Sequence, residues 1–144
     1  MRRLSDTRAE DVDLVHAAFA GRTPVSHVLG VGAAGPLFVM DEVFGRRGFA
    51  RLWYAADLDA VVACDLDDEH VLQIYDVVAR ELPSVADIVA RVPGRVDTVE
   101  LMFVPDRLGG RWATRPLAPP DVFMVKGTFV STSQPLVLPP LARC

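Results

Sequence analysis

Between residues 71 and 104 the chain reads VLQIYDVVA, then RELPSVADIVARVPGR, then VDTVELMFV. Two apolar runs of strand length thus flank a short amphipathic stretch. Strands joined by one helical return pair in parallel, because the crossover is too long for a hairpin and is nearly always right-handed. The pattern predicts strands at 71–79 and 96–104 with a helix at about 84–92 across one face. In that helix Ser84 and Asp87 have capping-box spacing, Val85, Ile88, Val89 and Val92 form the apolar stripe, and Pro93-Gly94 ends it. Period-two alternation along 71–79 puts Leu72, Ile74, Asp76 and Val78 on one face.

The rest of the chain reads as additions to this βαβ unit. Thr7 and Glu10 have capping-box spacing, and Val12, Val15, Ala18 and Phe19 recur at helical intervals before Gly21, so a helix is expected over 9–20. From Thr23-Pro24 to Leu29 the pattern fits either a short helix or an extended lead-in. Glycines at 30, 32 and 35 then break the chain. Strands are expected at 37–44, 50–55 and 60–66 as an antiparallel meander, with GRRG at 45–48 as a turn and an anion-binding nest as its remote alternative. The acidic run 65–70 reads as a solvated hairpin tip rather than a cation loop, since it lacks the glycine and closing glutamate of an EF-hand. Residues 105–120 are glycine- and proline-rich and form a surface excursion, 122–126 makes a last strand, and the tail lies extended over the domain to cover its leucines. The prediction is one α/β (α+β) domain over 1–144, a mixed and mostly antiparallel sheet with one parallel βαβ pair and helices on its faces.

Composition narrows the function classes. With 144 residues, 51% of them hydrophobic, the chain is long enough to bury a core. A net charge of −4 and arginines spread along the sequence leave no basic field, so no nucleic-acid partner is expected. No apolar run approaches the roughly 20 residues that cross a bilayer, and the acidic positions after Met1-Arg2-Arg3 do not fit a secretory leader. Cys64 and Cys144 lack metal-type spacing and suit a reducing cytoplasm. His16, His27 and His70 have no paired spacing either, so no metal site is predicted.

Two carboxylates carry the candidate chemistry. Asp76 stands in an apolar row, where an ionised group must be paired, protonated or at the open edge of a cleft, and pairing with an arginine is the favoured expectation. Glu100, between Thr98 and Met102 on one strand face, is either a solvent-facing residue or a general base. Tyr54 and Tyr75 are unspecific proton-donor candidates. The sequence has neither a GxSxG elbow nor a nucleotide-binding glycine loop.

The order of elements, with YDVVA closing the first strand of the central unit, resembles the GNAT (N-acetyltransferase) superfamily. The stretches RTPVSHVLGV (22–31), DLDAVVACD (57–65), LQIYDVVARELPSVADIVARV (72–92), VELMFVPDRLG (99–109) and LPPLARC (138–144) are similar to the C-terminal part of bacterial GNAT-family proteins. The resemblance implies transfer of an acetyl or other acyl group from an acyl-CoA co-substrate to a small-molecule amine, with no bound cofactor required. It assigns Asp76 or Glu100 as the base, backbone N–H groups near Val77 and Val78 to the thioester oxygen, and Arg80 to the CoA phosphates. The family's glycine-rich Q/RxxGxG/A loop is altered, however. Residues 80–86, RELPSVA, keep the arginine, lack glycine, and bring in Glu81 and Pro83 where free N–H groups and positive potential hold a diphosphate. The alternative is therefore a non-catalytic GNAT-derived module for binding or dimerisation that does not take CoA in the usual way. On that reading a ligand would be small or neutral, near Asp76 and Glu100. Six strands with few covering helices also predict a two-fold homodimer or association with a catalytic domain.

Overall fold

The computed structural model describes residues 1–28, 48–115 and Val137. The expected strands at 37–44 and 122–126 and the proline-rich tail therefore lie outside the described residues, apart from Val137. The described elements are β1 (Arg2–Arg3), α1 (Ala9–Ala20), β2 (Leu52–Ala55), a 3-10 turn (Ala56–Leu58), β3 (Ala60–Leu66), β4 (Val71–Ala79), α2 (Val85–Val89) and β5 (Thr98–Leu101). They form one mixed sheet in the order β1-β2-β3-β4-β5. Each neighbouring pair is antiparallel except β4 and β5, which are parallel as the crossover predicts.

The hairpins close as their residues dictate. Asp59 adopts a left-handed conformation at φ 46° and ends the turn between β2 and β3. The acidic run forms the tip between β3 and β4, where Asp67 Oδ1 accepts from the N–H groups of Glu69 and Val71 at 3.0 and 2.9 Å. Gly94, in the crossover four residues before β5, has φ +137°, and a β-carbon there would approach Leu66 Cδ2 to 2.8 Å. No L-residue with a side chain fits that position without strain.

The helix of the crossover is shorter than its pattern predicts. Ser84 caps it, accepting from the Asp87 N–H at 3.1 Å while its hydroxyl donates to Asp87 Oδ2 at 2.6 Å. After five helical residues the chain tightens into turns, with Arg91 N–H donating to the Ile88 carbonyl and Val92 N–H to the Val89 carbonyl. Val85 and Ile88 are buried, whereas Val89 and Val92 are only partly covered. Burying Ile88 alone contributes roughly 1.5–3 kcal/mol.

Two apolar layers sandwich the sheet. On one face α1 sets Val15 and Phe19 against Leu52, Val61 and Val78; on the other α2 sets Val85 and Ile88 among Val62, Leu72 and Val77. The alternation expected along β4 does not hold, because the β3–β4 register shifts between Ala63/Asp76 and Cys64/Ile74. This β-bulge makes Tyr75 the extra residue and reverses the phase beyond it. Leu72 and Ile74 therefore face the α2 layer, while Val78 belongs to the α1 layer and Asp76, opposite Ala63, shares that side.

The N-terminus departs from expectation in two ways. Arg2–Arg3 pairs with Tyr54 and Trp53 as an edge strand, although two exposed arginines carry no apolar alternation. Arg3 lies 4.6 Å from the centroid of the Trp53 ring, a cation–π contact that covers the edge. The capping box at Thr7 does not form, and Arg8 is the N-cap without a side-chain cap. Asp11 takes over instead: its fully buried carboxylate accepts from Ser5 N–H at 2.8 Å and pairs with Arg2 and Arg8 at 2.6 and 2.7 Å. The segment before the helix is thus tied to the helix's first turn. The Arg2 hydrogen bond, with the Ser5 amide and the two arginine charges, holds the Asp11 carboxyl below its ordinary value against burial. A depressed pKa stabilises the fold above the unfolded value of about 3.9, and this is lost as the pH falls toward the folded value. Asp11→Ala is expected to cost about 1–3 kcal/mol at neutral pH, since the Ser5 donor is left unmet while the half-exposed arginines return to water. Urea unfolding at pH 7 and pH 3 checks this, and the variant should lose less stability on acidification than the parent. No helix among the described residues is long and apolar enough to cross a membrane.

Candidate functional site

The central feature lies where β4 outruns β5. The two strands pair from Val71/Thr98 to Ile74/Leu101, and a last bond joins Met102 N–H to the Ile74 carbonyl at 2.9 Å. Beyond it β4 continues to Ala79 with β3 on one side only, which leaves its other edge open to some partner. Alternate residues of an antiparallel strand turn their backbone groups to the same edge. Past the bulge, Val77 and Ala79 present theirs to the edge that β5 has left.

The chain's own residues 22 and 23 occupy that edge. Gly21 ends α1, and Arg22 immediately turns back beneath Phe19, with its guanidinium 5.0 Å from the Phe19 ring. Arg22 Nη1 and Nη2 donate to Asp76 Oδ2 and Oδ1 at 2.9 and 2.8 Å, and Nη2 also donates to the Val77 carbonyl at 3.3 Å. Thr23 N–H donates to the Ala79 carbonyl at 2.8 Å, and its hydroxyl donates to the Arg80 carbonyl at 2.7 Å. The Val77 N–H is spent on Asp76 Oδ1 at 2.8 Å.

Asp76 and Arg22 form a bidentate pair with both side chains 1% exposed. Burial holds the Asp76 carboxyl above its ordinary range, opposed by the charge and hydrogen bonds of Arg22 and by the Val77 amide. A carboxylate so enclosed has no open path to an incoming amine. Among the described residues Arg22 Nε has no hydrogen-bond partner, so the guanidinium is held by its fork and by the Phe19 ring rather than by all five donors.

Glu100 stands elsewhere. It is opposite Gln73, three residues before Asp76 and so roughly 10 Å back along the strand. Arg115 pairs with it, and Gln73 Nε2 lies 3.5 Å away while Gln73 accepts from the Tyr75 hydroxyl at 2.8 Å. The two carboxylates thus do not converge on one reacting atom. Val78 is buried against the α1 layer. Arg80 lies at the end of β4 with an exposed side chain. The buried Cys64 thiol is pushed up to about 12, chiefly by burial, and is a poor nucleophile. No cluster of three or more metal-ligating side chains occurs among the described residues.

Sequence reasoning anticipated an arginine partner for Asp76 but did not select Arg22 or give Thr23 a role. Their signal was an R-T-P directly after a helix stop, a position from which a short extended run reaches a neighbouring strand. Comparison with protein-family models, with curated proteins and with solved structures found no match.

Proposed function

We propose that this chain is a GNAT-like module that does not transfer acyl groups and that acts by binding a small molecule or by pairing with a second copy of itself. The kinship is supported by the order of elements, the parallel β4–β5 pair and the parting of those strands beyond Ile74. The observation that carries the loss of transfer is the closure of the vacated β4 edge by Arg22 and Thr23. An acyl-CoA arm laid along this edge would compete with bonds already made to Val77 and Ala79. The Val77 N–H, expected to hold a thioester oxygen, would have to leave Asp76 first.

The loop after β4 supports the same reading. Its helix has five residues, its entry carries Pro83 without an N–H, and Glu81 adds a negative charge. Arg80 alone remains for a diphosphate. A second reading, transfer with Glu100 as base, draws on the same parting of the strands, but it requires Glu100 to give up Arg115. Calorimetric titration with acetyl-CoA separates the two. No saturable heat up to millimolar ligand is expected, whereas saturable micromolar binding would contradict the proposal and support the transferase reading.

A further inference from the structure

A shallow cleft of about 210 Å³ opens between α1 and the end of the sheet, beside the point where Thr23 closes the edge of β4. Leu14, Ala17 and Ala18 of α1 give it an apolar lining, and Tyr54, Asp59 and Arg80 bring polar groups to it, Asp59 and Arg80 flanking the Ala60–Ala79 pair at the end of β3 and β4. The charges are arranged by the fold. The left-handed turn at Asp59 brings its carboxylate to the Tyr54 hydroxyl, which donates to Oδ1 at 3.0 Å and leaves Oδ2 for another donor. Burial and the neighbouring Asp59 raise the tyrosine's pKa, so it stays a neutral donor. The Arg80 guanidinium lies flat against Gly21, where a β-carbon would stand 3.3 Å from Nη2. Among the described residues it has no hydrogen-bond or ion-pair partner.

From this geometry we infer that the cleft binds a small aliphatic zwitterion of the amino-acid class. Its carboxylate sits on the Arg80 fork, its ammonium on Asp59 Oδ2, and its hydrocarbon part on the alanines of α1. A planar guanidinium suits a carboxylate in bidentate fashion, and an anion of similar size without an ammonium would leave Asp59 repelling it. The volume lies below the range typical of drug-sized ligands, which limits the occupant to a few heavy atoms beyond its charged groups.

The inference names a site and ligand class for the proposed binding role and rests on that role. The test is titration of the whole chain with L-leucine and with 5-aminopentanoate, followed by amide NMR, beside propionate and propylamine as singly charged controls. Arg80→Met and Asp59→Asn are the informative variants, since Arg80 is exposed and asparagine tolerates a left-handed turn. The inference requires saturable shifts at Gly21, Asp59 and Arg80 with at least one zwitterion, weakened about tenfold or more in each variant. Whether the α-amino acid or the longer ω-amino acid binds then reads the spacing of the two charges. Binding by neither zwitterion, propionate binding as tightly as either, or unchanged affinity in both variants would overturn it. Acyl transfer elsewhere on the chain would overturn the proposed function and leave this result standing.

Discussion

Arg22→Met is expected to lower the free energy of unfolding by about 3–5 kcal/mol, because it strands a fully buried carboxylate without its counter-charge. Asp76→Leu should cost a similar amount by stranding the guanidinium. The double variant should recover most of the loss, since replacing a buried pair with apolar residues of similar volume is often neutral or stabilising. In Arg22→Met the carboxyl loses the groups that draw its pKa down, leaving burial to push it further above the unfolded value of about 3.9. A carboxyl whose folded pKa is raised favours the fold at low pH and ceases to do so as the pH rises through the folded value. The deficit of Arg22→Met should therefore be larger at pH 8 than at pH 5. Urea denaturation of the four proteins at both pH values decides the matter. Single-variant losses below about 1 kcal/mol, or a double variant as unstable as the sum of the singles, would contradict the assignment of Asp76 as a structural group.

Phe19→Ala should be comparably damaging, at about 3–5 kcal/mol. Phe19 is 1% exposed in the last turn of α1, where it fills the layer between helix and sheet. It also supports the Arg22 guanidinium from one side at 5.0 Å. Truncation thus leaves a cavity and loosens the clasp on β4 together. Residues in contact do not act additively, with coupling of about 0.5–3 kcal/mol. Phe19→Ala in the Arg22→Met background should consequently cost measurably less than in the parent, and thermal unfolding of the set would show it. Equal losses in the two backgrounds would mean that the ring packs against the sheet without supporting Arg22.

The parts of this fold legible in the sequence are those fixed by local pattern. Residues 9–20 carry a helical stripe ended by Gly21, and 71–104 carry the strand, helix and strand lengths that force a parallel pair. The acidic tip at 67–70 followed from residues that bond their own backbone. What the pattern did not reveal depends on contacts distant in sequence. The edge strand Arg2–Arg3 is held by Tyr54 and Trp53, and the bulge at Tyr75 is a property of the β3–β4 pairing. Asp11 resembles any first-turn acid until Arg2, Ser5 and Arg8 close around it. At the candidate site the same division holds. The need of Asp76 for a partner followed from its apolar neighbours, but the identity of Arg22 depended on how far the segment after α1 runs along β4.

On the proposed reading the edge of β4 beyond Ile74, closed by the chain's own Arg22 and Thr23, does not receive acyl-CoA. The most direct measurement is amide NMR of the labelled protein under titration with CoA to millimolar concentration. The amides of Val77, Ala79 and residues 80–82 and 84–86 are expected to keep their positions. Saturable shifts at Val77 and Ala79 together, with the Thr23 amide released from its bond, would contradict it.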